Sequence, residues 1–202
     1  MTIPRWWLWF FALSSVAIAL ISLRGLVAPV AMVMPNMAHF LQDAPWALWG
    51  HIVGAPLVLA LAPVQVSQAL RTRWPRAHRI SGRLYGIGVL IAGLSALALV
   101  PTAEASLFAK AGFTALALAW IGSTGRGIWL ARAGDHDAHR RWMLRSLALT
   151  FGAVTLRIIM GPLMAMGWTV AQTYDVTAWG AWVPSLILLE IWQSRRPHPA
   201  LA

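Results

Sequence analysis

The stretch DHDAHRRWMLRSLALTFGAVTLRIIMGPLMAM, residues 135 to 166, opens on two aspartates, two histidines and two arginines and then turns almost wholly apolar. From Trp142 onward it is 25 residues long, more than the roughly 20 that a helix needs to cross a bilayer. Tryptophan and arginine stand at its polar end, where a membrane surface places them. A segment of this kind belongs to a polytopic membrane protein.

The rest of the chain repeats the pattern. Of its 202 residues 59% are hydrophobic and 11% charged, and the mean hydropathy is +0.66. A soluble domain carries about 25% charged residues. Six segments qualify as spans: about Trp6 to Leu23, Trp46 to Leu70, Leu84 to Val100, Ala111 to Leu130, Trp142 to Met166 and Trp179 to Trp192. The expected fold is therefore all-α, a single bundle of six transmembrane helices. The first segment resembles a signal peptide, with Arg5 ahead of an apolar stretch, but no A-x-A site closes it, so it is read as a retained helix.

Arginine sets the expected orientation. One set of connections holds Arg5, then Arg71, Arg73, Arg76, Arg79 and Arg83, then Arg132, Arg140, Arg141 and Arg145, then Arg195 and Arg196. The other offers Arg24 and Lys110, which places both termini in the cytoplasm. Tryptophans fall at both boundaries as aromatic belts, except Trp120, which lies inside span four. A formal net charge of +10 distributed in short clusters between apolar runs fits anionic lipid, not nucleic acid. With no cysteine, thiolate metal sites, iron–sulfur clusters and cysteine nucleophiles are excluded, and any metal must be held by His, Met or carboxylate.

Both main arginine-rich loops contain Ala-His-Arg at a helix start, as WPRAHRISGR and DHDAHRRWMLR, which suggests that spans two–three and four–five are related hairpins. In span five, His139, Ser146, Thr150 and Arg157 stand at offsets of 0, 7, 11 and 18 and form one stripe along the helix. That stripe faces protein or water. An intramembrane arginine calls for an anion. For Arg157 the alternatives are an ion pair with Glu190, the only acid inside a span, or an anionic ligand or cofactor group.

Span two contributes His51, with Gly54 and Gln65 on nearly the same face, and span three contributes His78, Gly82 and Tyr85 behind the helix-opening Pro75. Each polar residue is either an interhelical hydrogen-bonding group or part of a site. A haem b between two helices needs neutral imidazoles at similar depth, which His78 and His139 satisfy at the arginine-rich side, with arginines such as Arg79 and Arg145 available for propionates. His51 would need a second outer ligand, for which His39 is available in a loop.

On the outer side Met32, Met34, Met37, Met160, Met164 and Met166 are either soft ligands suited to copper or fillers of an apolar core. His136 and His139 with Asp135 and Asp137 form either a divalent-metal site or a capped helix start. No phosphate-binding glycine loop, Ser-His-Asp constellation or carboxylate pair is present, so phosphoryl and acyl transfer are not expected.

His51, Gln65 and Arg71, the run HRISGRLYG from His78 to Gly86, Trp120, the run GDHDAHRRWMLRS from Gly134 to Ser146, and Arg157 together resemble the bacterial integral-membrane family called domain of unknown function 2306. The resemblance covers about Trp46 to Trp192. It implies a small multi-helix protein of the bacterial inner membrane and marks His51, Gln65, His78, Arg79, Gly82, Tyr85, His139, Trp142, Met143, Arg145 and Arg157 as family-pattern residues; it implies no activity. At fold level the chain also resembles two-haem membrane cytochromes of the b561 and ferric-reductase type, from which it departs in having no histidine in span four.

Three function classes follow. The first is a haem- or quinone-linked redox protein using His51, His78 and His139. The second is a carrier or accessory protein binding lipid headgroups or a small anion through Arg157. The third is copper handling through the outer methionines.

Overall fold

A computed structural model describes residues 5–195; Arg196 and the side chain of Arg5, both used above for orientation, lie outside that description. Among the described residues the chain is all helix and turn, without strands. In order, α1 is Arg5–Ser22, α2 Val30–Val33, α3 Phe40–Asp43, α4 Pro45–Val66, α5 Gln68–Arg73, α6 Pro75–Leu99, α7 Leu107–Arg132, α8 His136–Ala165, α9 Val170–Gly180 and α10 Val183–Ser194. Five of these segments are long and apolar enough to cross a membrane: α1 with its 3₁₀ extension to Leu26, α4, α6, α7 and α8.

The boundaries have local causes. Pro45 and Pro75 sit in the first turns of α4 and α6, where a missing N–H costs nothing. The third span thus begins nine residues before the Leu84 expected from hydropathy, because the arginine-bearing turns of Pro75 to Arg83 are already helical. The second span ends early. Ser67 is extended, and its hydroxyl accepts from the Leu70 N–H to start α5, so the expected Trp46 to Leu70 helix is two helices. The expected sixth span falls across α9 and α10, of 11 and 12 residues, which part at Ala181 and Trp182 ahead of Pro184.

The closest pair is α4 with α6, followed by α7 with α8; α8 also touches α1, α4, α9 and α10 and so runs through the middle of the bundle. Small residues carry these approaches. A Cβ on Gly54 would lie 3.2 Å from Ala92 Cβ and 3.4 Å from the Gly88 carbonyl, which is how α4 and α6 come within backbone reach. Val58, Ala62, Tyr85, Val89 and Leu147 form the central buried cluster, drawn from α4, α6 and α8. A second cluster, with Val30, Phe40, Leu48, Ile52 and Leu99, lies at the end opposite the arginine-rich loops, where Met34 and Met37 pack against it. These two methionines fill the core, while Met32, Met164 and Met166 are exposed.

Candidate functional site

The α6 and α8 helices open in the same register. His78 and His139 are each the fourth residue of their helix, and Tyr85 and Ser146 each follow seven residues later on the same face. The two histidines therefore stand about 10 Å along the helix axes from the tyrosine–serine pair. Between them on α8 lies Met143, whose Sδ would be 2.6 Å from a Cβ on Gly127. The α7 helix must carry glycine there for α8 to approach. That approach brings the Gly127 carbonyl within 2.8 Å of His139 Nδ1, which as N–H donates to it and leaves Nε2 free as an acceptor.

His78 faces the same region from α6, within electrostatic reach of His139 and Arg71. Its Nδ1 is buried and has no hydrogen-bond partner among the described residues. Each ring thus keeps one nitrogen without a partner among the described residues, and the two lie within electrostatic reach across α6 and α8, helices whose backbones share little direct contact. The α4 helix closes one flank: Gln65 donates through Nε2 to Ser81 Oγ at 2.8 Å, and a Cβ on Gly82 would press on Gln65 Oε1 at 3.2 Å. Gln65 is an interhelical tie.

Deeper in the bundle, Tyr85 is fully buried. Its hydroxyl lies 2.8 Å from Ser146 Oγ and 2.7 Å from Thr150 Oγ1. Thr124 Oγ1 lies 2.7 Å from Ser146 Oγ. The Trp120 indole N–H donates to Thr150 Oγ1 at 2.9 Å, Thr124 Oγ1 is 2.7 Å from the Trp120 carbonyl, and Thr150 Oγ1 is 2.9 Å from the Ser146 carbonyl. Five hydrogens serve these six contacts. Two arrangements use all five hydrogens and place one in every contact between hydroxyls: one runs from Thr124 through Ser146 and Tyr85 to Thr150, the other runs back, and each leaves one backbone carbonyl without its hydroxyl donor. Trp120, misplaced for an aromatic belt, is explained as a member of this network.

The remaining sequence candidates disperse. Glu190 does not pair with Arg157. Both of its oxygens are taken by Arg145, through Nε at 2.6 Å and a terminal nitrogen at 2.7 Å. The α10 helix presents Glu190 near its arginine-rich end, whereas Arg157 lies two turns from the other end of α8, so depth forbids the expected pair. Arg157 donates instead to the Ala153 carbonyl and to Ser22 Oγ at the end of α1. His51 lies in that same half, 3.4 Å through Nδ1 from the Ala92 carbonyl and within electrostatic reach of Arg157, far from His78 and His139. No hydrogen bond joins it to His39, whose ring packs on Phe40. Arg79 is exposed, without an ion pair among the described residues.

Asp135 caps α8, accepting from the Ala138 N–H, and no three His, Asp or Glu among the described residues converge as a metal site. The DHDAH stretch is accordingly a helix start. Sequence reasoning missed Thr124, Gly127 and Arg126; their signal was the segment GSTGRG, residues 122 to 127, which puts small, hydroxyl and basic residues one turn apart inside an apolar helix.

Comparison with known proteins gives one family. The model described as a predicted membrane protein, domain of unknown function 2306, matches residues 48–193. The chain belongs to this family. The match begins in α4 and ends in α10, and so encloses the histidine pair, the hydroxyl network and the Arg145–Glu190 pair, while α1 lies before it. No curated protein and no solved structure matches the chain.

Proposed function

We propose that this domain of unknown function 2306 protein is a redox carrier of the bacterial cytoplasmic membrane that holds haem b or a quinone against His78 and His139. Both termini lie in the cytoplasm, and α9 with α10 makes a broken sixth span. The supporting observation is the shared register of His78 and His139, each the fourth residue of its helix and within electrostatic reach of the other, with His139 oriented by the Gly127 carbonyl and His78 keeping a buried, unpartnered Nδ1. A neutral imidazole with its Nε2 free, as in His139, is an axial donor for a b-type haem, and His78, in the tautomer that carries its proton on the unpartnered Nδ1, is a hydrogen-bond donor for a quinone carbonyl. Arg71, Arg79 and Arg83 at the same end supply cations for propionates. The arginine distribution supports the orientation.

Purification in mild detergent after expression with haem precursor, with oxidised and reduced absorption spectra and quinone extraction, tests the proposal. His139→Ala should abolish the bound chromophore or quinone, and His136→Ala, an exposed residue, should not. A well-folded protein with neither cofactor ends the redox reading.

A second reading rests on Arg157. With Glu190 held by Arg145, Arg157 has no acid partner among the described residues and lies within the electrostatic reach of another cation, Arg24. An arginine so placed suits an anionic headgroup or a small anion in the outer half of the membrane. Loss of anion binding in Arg157→Gln without loss of fold would support that carrier role.

A further inference from the structure

Flanking the histidine-bearing face of α8, a lateral groove of about 540 Å³ is lined by residues of α7, α8 and α10, among them Gly122, Arg126, Trp142, Arg145, Leu186 and Glu190. Its charges are uneven. Glu190 is used up by Arg145, whose guanidinium also lies 4.6 Å over the Trp142 ring. Arg126 has no acid partner among the described residues and carries the groove's net charge of +1.

Arg126 lies six residues before the end of α7, so its Cα is about 9 Å inside the helix end. The guanidinium stacks 4.2 Å over Trp129, one turn nearer that end, and so is directed toward the membrane surface. The groove opens sideways from the bundle, with no Cβ at Gly122 to narrow it; a Cβ there would meet nothing within 4 Å.

We propose that this groove binds one anionic phospholipid from the leaflet at the arginine-rich end, its phosphate on Arg126 and an acyl chain lying along Gly122 and Leu186. Charge complementarity selects the headgroup. The Arg145–Glu190 pair walls the site and keeps it at one net positive charge, so a single lipid neutralises it. The lateral opening and the depth of Arg126 favour a lipid phosphate over a free anion, which would have to leave water to reach it.

Native mass spectrometry of the protein released from nanodiscs that mix phosphatidylglycerol and phosphatidylcholine tests this, with inorganic phosphate as the competing free anion. The expected result is one phosphatidylglycerol retained by the unsubstituted protein, about fivefold weaker retention in Arg126→Gln and unchanged retention in Arg132→Gln. Glu190→Gln, which frees Arg145, should retain it more tightly, a gain that unfolding does not mimic. Equal retention by Arg126→Gln, equal retention of phosphatidylcholine, or displacement by millimolar phosphate each overturns the proposal.

Discussion

Thr150→Val should destabilise this protein more than Tyr85→Phe, although Tyr85 is the larger and more deeply buried residue. In Tyr85→Phe two of the six contacts vanish together with one hydrogen. Four contacts then share four hydrogens: Trp120 Nε1 to Thr150, Thr150 to the Ser146 carbonyl, Ser146 to Thr124, and Thr124 to the Trp120 carbonyl. Every remaining group is satisfied, the ring still fills its space, and the loss is about 0.6 kcal/mol, the average for an interhelical hydrogen bond in a membrane.

Thr150→Val is close to isosteric, but it removes the acceptor of the Trp120 N–H. That donor is left inside the bundle without a partner, at a cost of about 1–3 kcal/mol. Reversible unfolding in mixed micelles by denaturing detergent measures both variants. The decisive control is Trp120→Phe. In that background there is no orphaned N–H, so Thr150→Val should cost less by about 1 kcal/mol or more, a coupling read from the double-mutant cycle. A Tyr85→Phe cost equal to or above that of Thr150→Val, or additive costs in the cycle, would refute the hydrogen count.

Other outcomes follow from close approaches and charges. Gly112→Ala should lower the thermal midpoint strongly, because its Cβ would stand 2.9 Å from the Ala178 carbonyl oxygen and push α9 off α7, whereas Gly122→Ala, with open space at its Cβ, should be neutral. Gly127→Ala should cost about 1–3 kcal/mol by forcing Met143 aside, and Met143→Ala should recover part of it. Arg145→Lys should lose the bidentate geometry and cost about 0.5–1 kcal/mol, no more, because the pair's side chains are 22% and 44% exposed. Exchanging Arg157 and Glu190 should not restore stability, whereas exchanging Arg145 and Glu190 should restore part of what either single reversal loses.

Much of the fold was legible because a bilayer writes long, simple signals. Five apolar runs became five long helices, and Pro75 and Asp135 marked the starts of two of them. What hydropathy averages could not show was where a helix breaks within an apolar run, since Ser67 and the Ala181–Trp182 turn are local backbone events. Within the candidate site, the histidine–hydroxyl stripe of α8 followed from helical period alone. The pairing of Glu190 did not. It depends on the depth at which α10 sits against α8, which puts Glu190 level with Arg145, read from the sequence as a cation for propionates, and not with Arg157. Thr124 and Gly127 escaped because their roles come from α7–α8 packing, and a threonine or glycine in an apolar helix carries no periodic signature of its own.

The two Ala-His-Arg segments acquire a physical sense in this arrangement. Each starts a helix and puts its histidine on the fourth residue, and each has a hydroxyl seven residues further on that meets its counterpart across the gap between α6 and α8. Seven residues is nearly two turns, so the tyrosine–serine contact fixes the rotation of both helices about their axes. The same rotation directs both histidines toward one region. The hydroxyl network is thereby a device for orienting the histidines from about 10 Å away. Its shortage of one hydrogen gives it two arrangements of similar bonding, and a charge appearing at the histidine pair would favour one over the other through the dipoles it reorients. The histidine and the hydroxyl seven residues later in HRISGRLY and HRRWMLRS thus form one geometric unit, in which the buried tyrosine–serine contact sets the direction of both imidazoles.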